Sequence, residues 1–238
     1  MTAIVERNRA FLTDLFLGRA ARHGLIFNPQ PADSPGDFLC SDRPAQEWLP
    51  YFEARYESKL RQVQAVEDDA VPYVSLNTNT GVFAAAFGCK LHIYEGQSTN
   101  ACALPAVASA KEADALPQPS WESSPTLVRV MEVARAVRER LGPEAPIGVP
   151  DVQSPFDVAA LVWSKEDFLA SLYEEPESVR RLVGKCQRLI SGFLHAFRRE
   201  IGEVNLCHCP NAWAPPELGM WLSEDEAGAV STAMFEEF

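Results

Sequence analysis

The chain predicts an α/β fold built on a parallel sheet, and three observations carry that prediction. Helix signals recur in five segments, short apolar runs lie between them, and 238 residues with 47% hydrophobic and 23% charged content can bury one sizeable core. Strands that alternate with helices imply repeated βα units, hence a barrel or a doubly wound sheet; periodicity alone does not choose between the two.

In chain order, the first helix is expected over residues 2–17. Thr2 serves as its cap, Ile4, Phe11, Leu12, Leu15 and Phe16 form one stripe, and Gly18 is the stop. Residues 24–27 read as a first strand. Ser41 and Asp42 precede Pro44, after which Trp48, Phe52, Tyr56, Leu60 and Val63 recur at helical spacing. Residues 71–76 make a second strand. Ser124-Pro125 opens a third helix through Leu127, Met131, Ala134, Val137 and Leu141, and Gly142-Pro143 ends it. Strand 146–149 follows, then a short helix behind Ser164, with Asp167 three residues on as in a capping box. The longest helix spans 176–201. Pro176 sits in its first turn, and Val179, Leu182, Val183, Cys186, Leu189, Ile190, Phe193, Leu194, Phe197 and Ile201 form a continuous stripe. Burying ten such side chains contributes about 15–25 kcal/mol of gross apolar transfer, so this helix must pack on something large. Strands 204–207 and 219–222 close the series.

A net charge of −12 repels nucleic-acid phosphate and anionic membrane surfaces, so neither is an expected partner. No apolar run reaches the 18 or so residues of a membrane span. Glu6, Arg7, Arg9 and Asp14 interrupt the first apolar stretch, which excludes a signal core; a cytoplasmic protein is expected. Cysteines 40, 89, 102, 186, 207 and 209 are scattered apart from the last pair and read as reduced thiols. A dinucleotide fingerprint, a P-loop, a His-Glu-x-x-His helix and a Gly-x-Ser-x-Gly elbow are all missing.

In parallel α/β folds ligands gather where strands run into helices. That rule selects Asn77, Asn79, Asp151, Gln153, Cys207 to Cys209, and Glu224 to Glu226. Adjacent carboxylates push at least one pKa upward, so Glu224-Asp225-Glu226 suits acid/base work or a substrate ammonium; the alternative is a solvated turn with a capping acid. Cys207 and Cys209 have the i, i+2 spacing that turns two thiolates to one side of a strand end, as zinc requires, and the alternative is a pair of small core residues. Asp157 either lines a pocket with Asp151 and Gln153 or caps a short helix. Trp213 and Trp221 flank a proline-rich loop and floor a pocket or simply pack. His92 and His195 are expected to be structural.

The run Leu222 to Phe238 carries a further signal. Glu224, Ala227, Gly228, Ser231, Phe235 and Phe238 resemble, in order and spacing, a segment of the uroporphyrinogen decarboxylase (URO-D) superfamily, with Thr232 where the family has proline. Ser154-Pro155-Phe156-Asp157-Val158-Ala159 is similar to the family's small-Pro-aromatic-Thr turn, and residues 168–177 to its following helix pair. The resemblance covers roughly 146–238, and more loosely the N-terminal helix and Phe87-Gly88. It implies a TIM-type (β/α)8 barrel as a single domain over 1–238, with barrel units from about 24, about five βα units present and the C-terminal units missing. An open barrel edge covered by a partner chain or a second copy follows from that expectation.

The family contains tetrapyrrole decarboxylases and corrinoid- or thiol-linked zinc methyltransferases. The decarboxylase branch has an arginine-rich segment after its first strand and an acid after its second. Here those read Phe27-Asn28-Pro29-Gln30-Pro31 and Ser75-Leu76-Asn77-Thr78-Asn79, and a neutral amide cannot stabilise a developing cation as a carboxylate does. The resemblance therefore implies the methyltransferase-like branch, moving a methyl group between a corrinoid or methylated small molecule and a thiol, with a corrinoid protein as possible partner. Glu224 and Asp225 would be catalytic, orienting substrate, while Asn77, Asn79, Asp151, Gln153, Asp157, Trp213 and Glu226 would bind it. That branch's zinc pair is His-x-Cys after the acidic motif, which this chain lacks, so Cys207 and Cys209 are at best a displaced analogue. The alternatives are a catalytically inactive partial barrel that binds a ligand or partner, and a decarboxylase-type lyase.

Overall fold

The structure, a computed structural model, describes residues 3–27, 36–76, 78–94 and 101–238. Helix α1 (Ala3–Phe16) turns Val5, Asn8 and Leu12 inward, a face slightly rotated from the expected stripe, with Ile4, Phe11 and Leu15 packing from its side. The reason is polar: Asn8 is buried and donates from Nδ2 to the carbonyls of Asp68 (2.7 Å) and Ala70 (2.9 Å), which fixes α1 to the start of the 71–76 segment.

Residues 24–27 are not a strand. Leu25 and Phe27 are exposed, and their N–H groups donate to the side chains of Asp69 and Asp68, each at 2.9 Å, so carboxylates take the place of a ladder. Helix α2 (Leu49–Val66) follows a 3-10 turn over Ala45–Trp48 and buries Phe52 and Val63. A hairpin that periodicity did not signal, β1 (Lys90–Ile93) with β2 (Ala101–Leu104), pairs antiparallel. Short helix α3 (Ala110–Ala115) is capped by Ser109.

Helix α4 (Pro125–Leu141) has the expected bounds: Ser124 Oγ accepts from Leu127 N–H, and Gly142 takes φ +81° past its end, where a side chain would be strained. Helices α5 (Pro155–Val162), α6 (Lys165–Glu174) and α7 (Pro176–Ile201) follow. The Ser164 side chain makes no cap bond, contrary to the capping-box expectation; its N–H is instead committed to the Val107 carbonyl at 2.8 Å. Helix α7 buries eight of the ten stripe residues, with Val183 and Leu194 partly buried against the same core, and it packs mainly on α5.

Apart from the β1–β2 hairpin, the pairings are short but parallel. Val74 bridges Ile147, β3 (Ile147–Gly148) pairs with β4 (Val204–Asn205), and Cys207 bridges Trp221, giving the spatial order 74, 147, 204, 221 that βα repeats predict. Gly148 is needed there, because a Cβ would meet the Tyr73 ring at 3.1 Å and the Val74 carbonyl at 3.2 Å. Arg138 clamps the far end of this sheet. From the last turn of α4 its guanidinium donates to the carbonyls of Gly142, Ile201 (2.8 Å) and Glu203 (2.6 Å), gathering the orphan carbonyls that end α4 and α7. Short helix α8 (Thr232–Glu237) lies behind the acidic motif, capped by Ser231. Among the described residues no helix is long and apolar enough to cross a membrane.

Candidate active site

The parallel segments 71–76, 147–149 and 204–207 all run toward one cavity of about 420 Å³, and α2 with the 36–38 loop closes its side. Its size falls in the range of small-molecule sites. Tyr73, Thr78, Asp151, Cys207 and His208 reach it from the strand ends, and Tyr51, Phe52 and Arg55 from α2.

Two of its charged groups lack ordinary partners. Arg55 donates from Nη1 to Tyr51 Oη at 2.8 Å, and among the described residues no carboxylate pairs with it. Asp151 has a buried Oδ1 without a hydrogen bond; His208 Nε2 lies 3.4 Å away, and the backbone N–H of Asp151 is held by Thr78 Oγ1 at 3.0 Å. Burial pushes the Asp151 carboxyl upward, His208 opposes that, and Asp225 adds to it. Tyr73 is pushed up to about 12, chiefly by burial, and Lys59 Nζ sits 4.0 Å over the back of its ring.

The sequence-selected residues divide among several places. Asn77 lies outside the described residues. Asn79 is buried and serves a turn: its N–H and Nδ2 both donate to Asp37 Oδ2 (3.0 and 2.6 Å), and its Oδ1 accepts from Gly81 N–H. Asp37 also holds Leu39 N–H, so this clamp fixes the 36–40 loop that walls the cavity. Gln153 is buried and donates to Asp225 Oδ2 at 3.3 Å, leaving its own Oε1 unpartnered. Trp213 packs with Val5, Leu12, Val63, Val71 and Tyr73, and Arg9 lies 5.1 Å over its ring.

Asp157 does not cap its own helix, which Ser154 does at 3.0 Å. Its carboxylate instead accepts from the N–H groups of Asp225 and Glu226, each at 2.8 Å, and so ties α5 to the acidic motif. Burial and then the neighbouring Glu224 carboxyl push Asp157 up to about 7. Glu224 faces away from the large cavity and lines a second one of about 300 Å³ beside Phe156, Phe235 and Phe238. Asp225 is exposed, and Glu226 is paired with Lys165.

Cys207 is buried, donates from Sγ to the Pro210 carbonyl at 3.2 Å, and is pushed up to about 11 by burial, whereas Cys209 is exposed. Among the described residues no three His, Cys, Asp or Glu side chains group as a metal ion needs, so the donors present do not fit a zinc ligand set. Arg55 and Tyr51 were not among the expected site residues. Their signal is an i, i+4 Tyr–Arg pair on the polar side of an amphipathic helix, which does not announce itself without knowing which loop faces it.

A family model described as Uroporphyrinogen decarboxylase (URO-D) matches residues 56–214. A solved structure, a methyltransferase from Methanosarcina mazei, is similar with a TM-score of 0.55 and 14% identity, over 97% of this chain and 65% of that one. This chain thus spans 65% of the length of that neighbour, and at this identity the likeness is one of fold. No curated protein matches. The parallel βα order agrees with both findings, and the fold is α/β of the TIM-barrel type.

Proposed function

The chain belongs to the uroporphyrinogen decarboxylase (URO-D) family, and from that premise we propose a methyltransferase-like activity in which a methyl group passes between a corrinoid or methylated small molecule and a thiol. One observation carries the choice of branch. Among the described residues around the 420 Å³ cavity, only Arg55 and His208 can offer positive charge, whereas a tetrapyrrole with several carboxylates calls for several cations. The fold neighbour named as a methyltransferase supports the same choice.

In this reading the thiol sulfur attacks the methyl carbon, a C–S bond forms, the bond from methyl to donor breaks, and its electron pair leaves with the donor. The thiol proton passes to the Asp151 and His208 pair. Cavity walls of Phe52, Leu76 and Val149 keep water from the carbon being transferred. Glu224 and Asp225 act through the turn that Asp157 fixes, orienting the strand ends, and Asn79 holds the wall through Asp37.

The test is incubation with a methylated corrinoid and a panel of small thiols, with demethylation followed by visible absorbance and the methylated thiol identified by mass spectrometry. Turnover that falls at least about tenfold in Asp151→Ala supports the reading. Release of carbon dioxide from a porphyrinogen, with no methyl transfer to any thiol, overturns it.

A further inference from the structure

The cavity holds charged groups of both signs that lack a full set of partners. On the α2 wall the Arg55 guanidinium has a phenol for partner and no carboxylate among the described residues. On the strand-end wall Asp151 presents a buried oxygen with no hydrogen bond, faced by His208 Nε2 at 3.4 Å. Arg55 comes from α2 and Asp151 from the strand ends, so the two charges belong to separate walls. A guest bearing both an anion and a cation offers each wall a partner at once.

The form of the cation follows from what surrounds Asp151. A bare ammonium brings three N–H donors and needs about as many acceptors. The nearby acid that also lines the cavity, Asp37, already spends its oxygens on Leu39 N–H and on the N–H and Nδ2 of Asn79. Leu76, Val149 and the aromatic rings of Tyr73 and Phe52 supply apolar wall, beside the polar side chains of Ser75, Thr78 and Asn211. An alkylated ammonium needs charge and apolar contact and has few or no donors to satisfy, so it suits a carboxylate oxygen that makes no hydrogen bond and lies in one cavity with these apolar groups.

We infer that the cavity takes a small zwitterion, a carboxylate held by Arg55 beside Tyr51 and a methylated ammonium set against Asp151. The inference rests on the methyl-transfer reading only in making this guest the methyl-bearing substrate; the binding stands on the cavity itself.

Calorimetric titration with trimethylammonio carboxylates of increasing chain length tests it, against two sets of controls. The tert-butyl carboxylates of the same shape lack the cation, and alkyltrimethylammonium ions lack the anion. At least one zwitterion should bind about tenfold or more tighter than either of its controls. Arg55→Met should weaken the zwitterion about tenfold and leave the alkyltrimethylammonium ion unchanged, whereas Asp151→Asn should weaken both. Tyr51→Phe, which keeps the helix intact, should weaken the zwitterion several-fold. Unchanged circular dichroism and melting curves establish that each variant folds.

Equal affinity for the zwitterion and its tert-butyl isostere overturns the inference, as does zwitterion binding indifferent to Arg55→Met, or no binding by any member of the series. Because binding is read without turnover, the two proposals fail separately. Methyl transfer from some other donor with no zwitterion binding sinks the guest and spares the activity. Zwitterion binding with no methyl transferred to any thiol does the reverse.

Discussion

Replacing Asp157 by asparagine should change how the stability of this protein depends on pH. The Asp157 carboxyl is almost fully buried, and its pKa rises from 3.8 to about 7, by burial first and then by Glu224. Below about pH 4 both folded and unfolded chains carry the proton, and the full stability is present. As pH rises the unfolded chain ionises first, so stability falls until about pH 7 and is flat beyond it, a total on the order of 4 kcal/mol at 1.36 kcal/mol per pKa unit. By pH 5 the first part has gone, which leaves about 2.5–3 kcal/mol to be lost between pH 5 and 8. The amide of the Asp157→Asn variant cannot ionise. It keeps one acceptor oxygen for the two N–H groups of Asp225 and Glu226, and that loss costs about 1–3 kcal/mol at any pH. Urea unfolding followed by tryptophan fluorescence should therefore find the variant less stable than the parent at pH 5, and the gap closing or reversing by pH 8. Carboxylates remote from Asp157 are the same in both proteins and cancel in the difference. A gap that stays constant from pH 5 to 8 refutes the account of Asp157 as the proton-holding member of this pair.

Further substitutions probe the fold and the cavity. Asn205→Ala removes a fully buried amide that holds Cys207 and Ala214 N–H groups and the Ala212 carbonyl, and should lower stability by about 2–4 kcal/mol in chemical denaturation. Phe193→Ala empties a site between Phe83, Trp121 and Phe197 and should cost about 3–5 kcal/mol; a loss below about 1 kcal/mol would show that α7 does not pack as described. Asp37→Ala frees the 36–40 loop and leaves the Leu39 and Asn79 donors without an acceptor, so a cavity ligand should bind more weakly and the melting temperature should fall, and unchanged affinity would remove the loop from the site. Among the two thiols of the 207–209 turn, exposed Cys209 should be alkylated by iodoacetamide well before buried Cys207, whose thiol is held protonated; peptide mass mapping reads the order, and equal rates would contradict the burial of Cys207.

Helices were legible in the sequence where their signals are local. Pro176 and ten apolar residues at helical spacing mark α7, and Ser124, Pro125 and Gly142 bracket α4, because caps and stripes are written within a few residues of each other. Ser164 shows the limit of that logic, since a tertiary bond from its N–H to Val107 goes with a turn in which the side-chain cap is not made. Residues 24–27 look like a strand in composition, but Asp68 and Asp69 more than forty positions away decide where their N–H groups go. Strand-end reasoning did bring Asp151 and Cys207 to one cavity. It could not foresee that Asn79 would be consumed by Asp37, that Asp157 would hold the turn at 225–226, or that Arg55 and Tyr51 would arrive from a helix. Those pairings join residues far apart in the chain, and nothing in either partner's neighbourhood reports them.

Arg138 sets a dimension of the active cavity while standing outside it. Strands β3 and β4 each begin a few residues beyond the helix ends that its planar fork gathers, so the separation of those ends becomes the separation of the strands. A lysine in its place would bring a point charge and lose the fixed angle between its bonds. Selection on the shape of the cavity can therefore act on a residue that does not line it, and the side of the fold opposite the cavity is where the tolerance of its strand-end geometry is gauged.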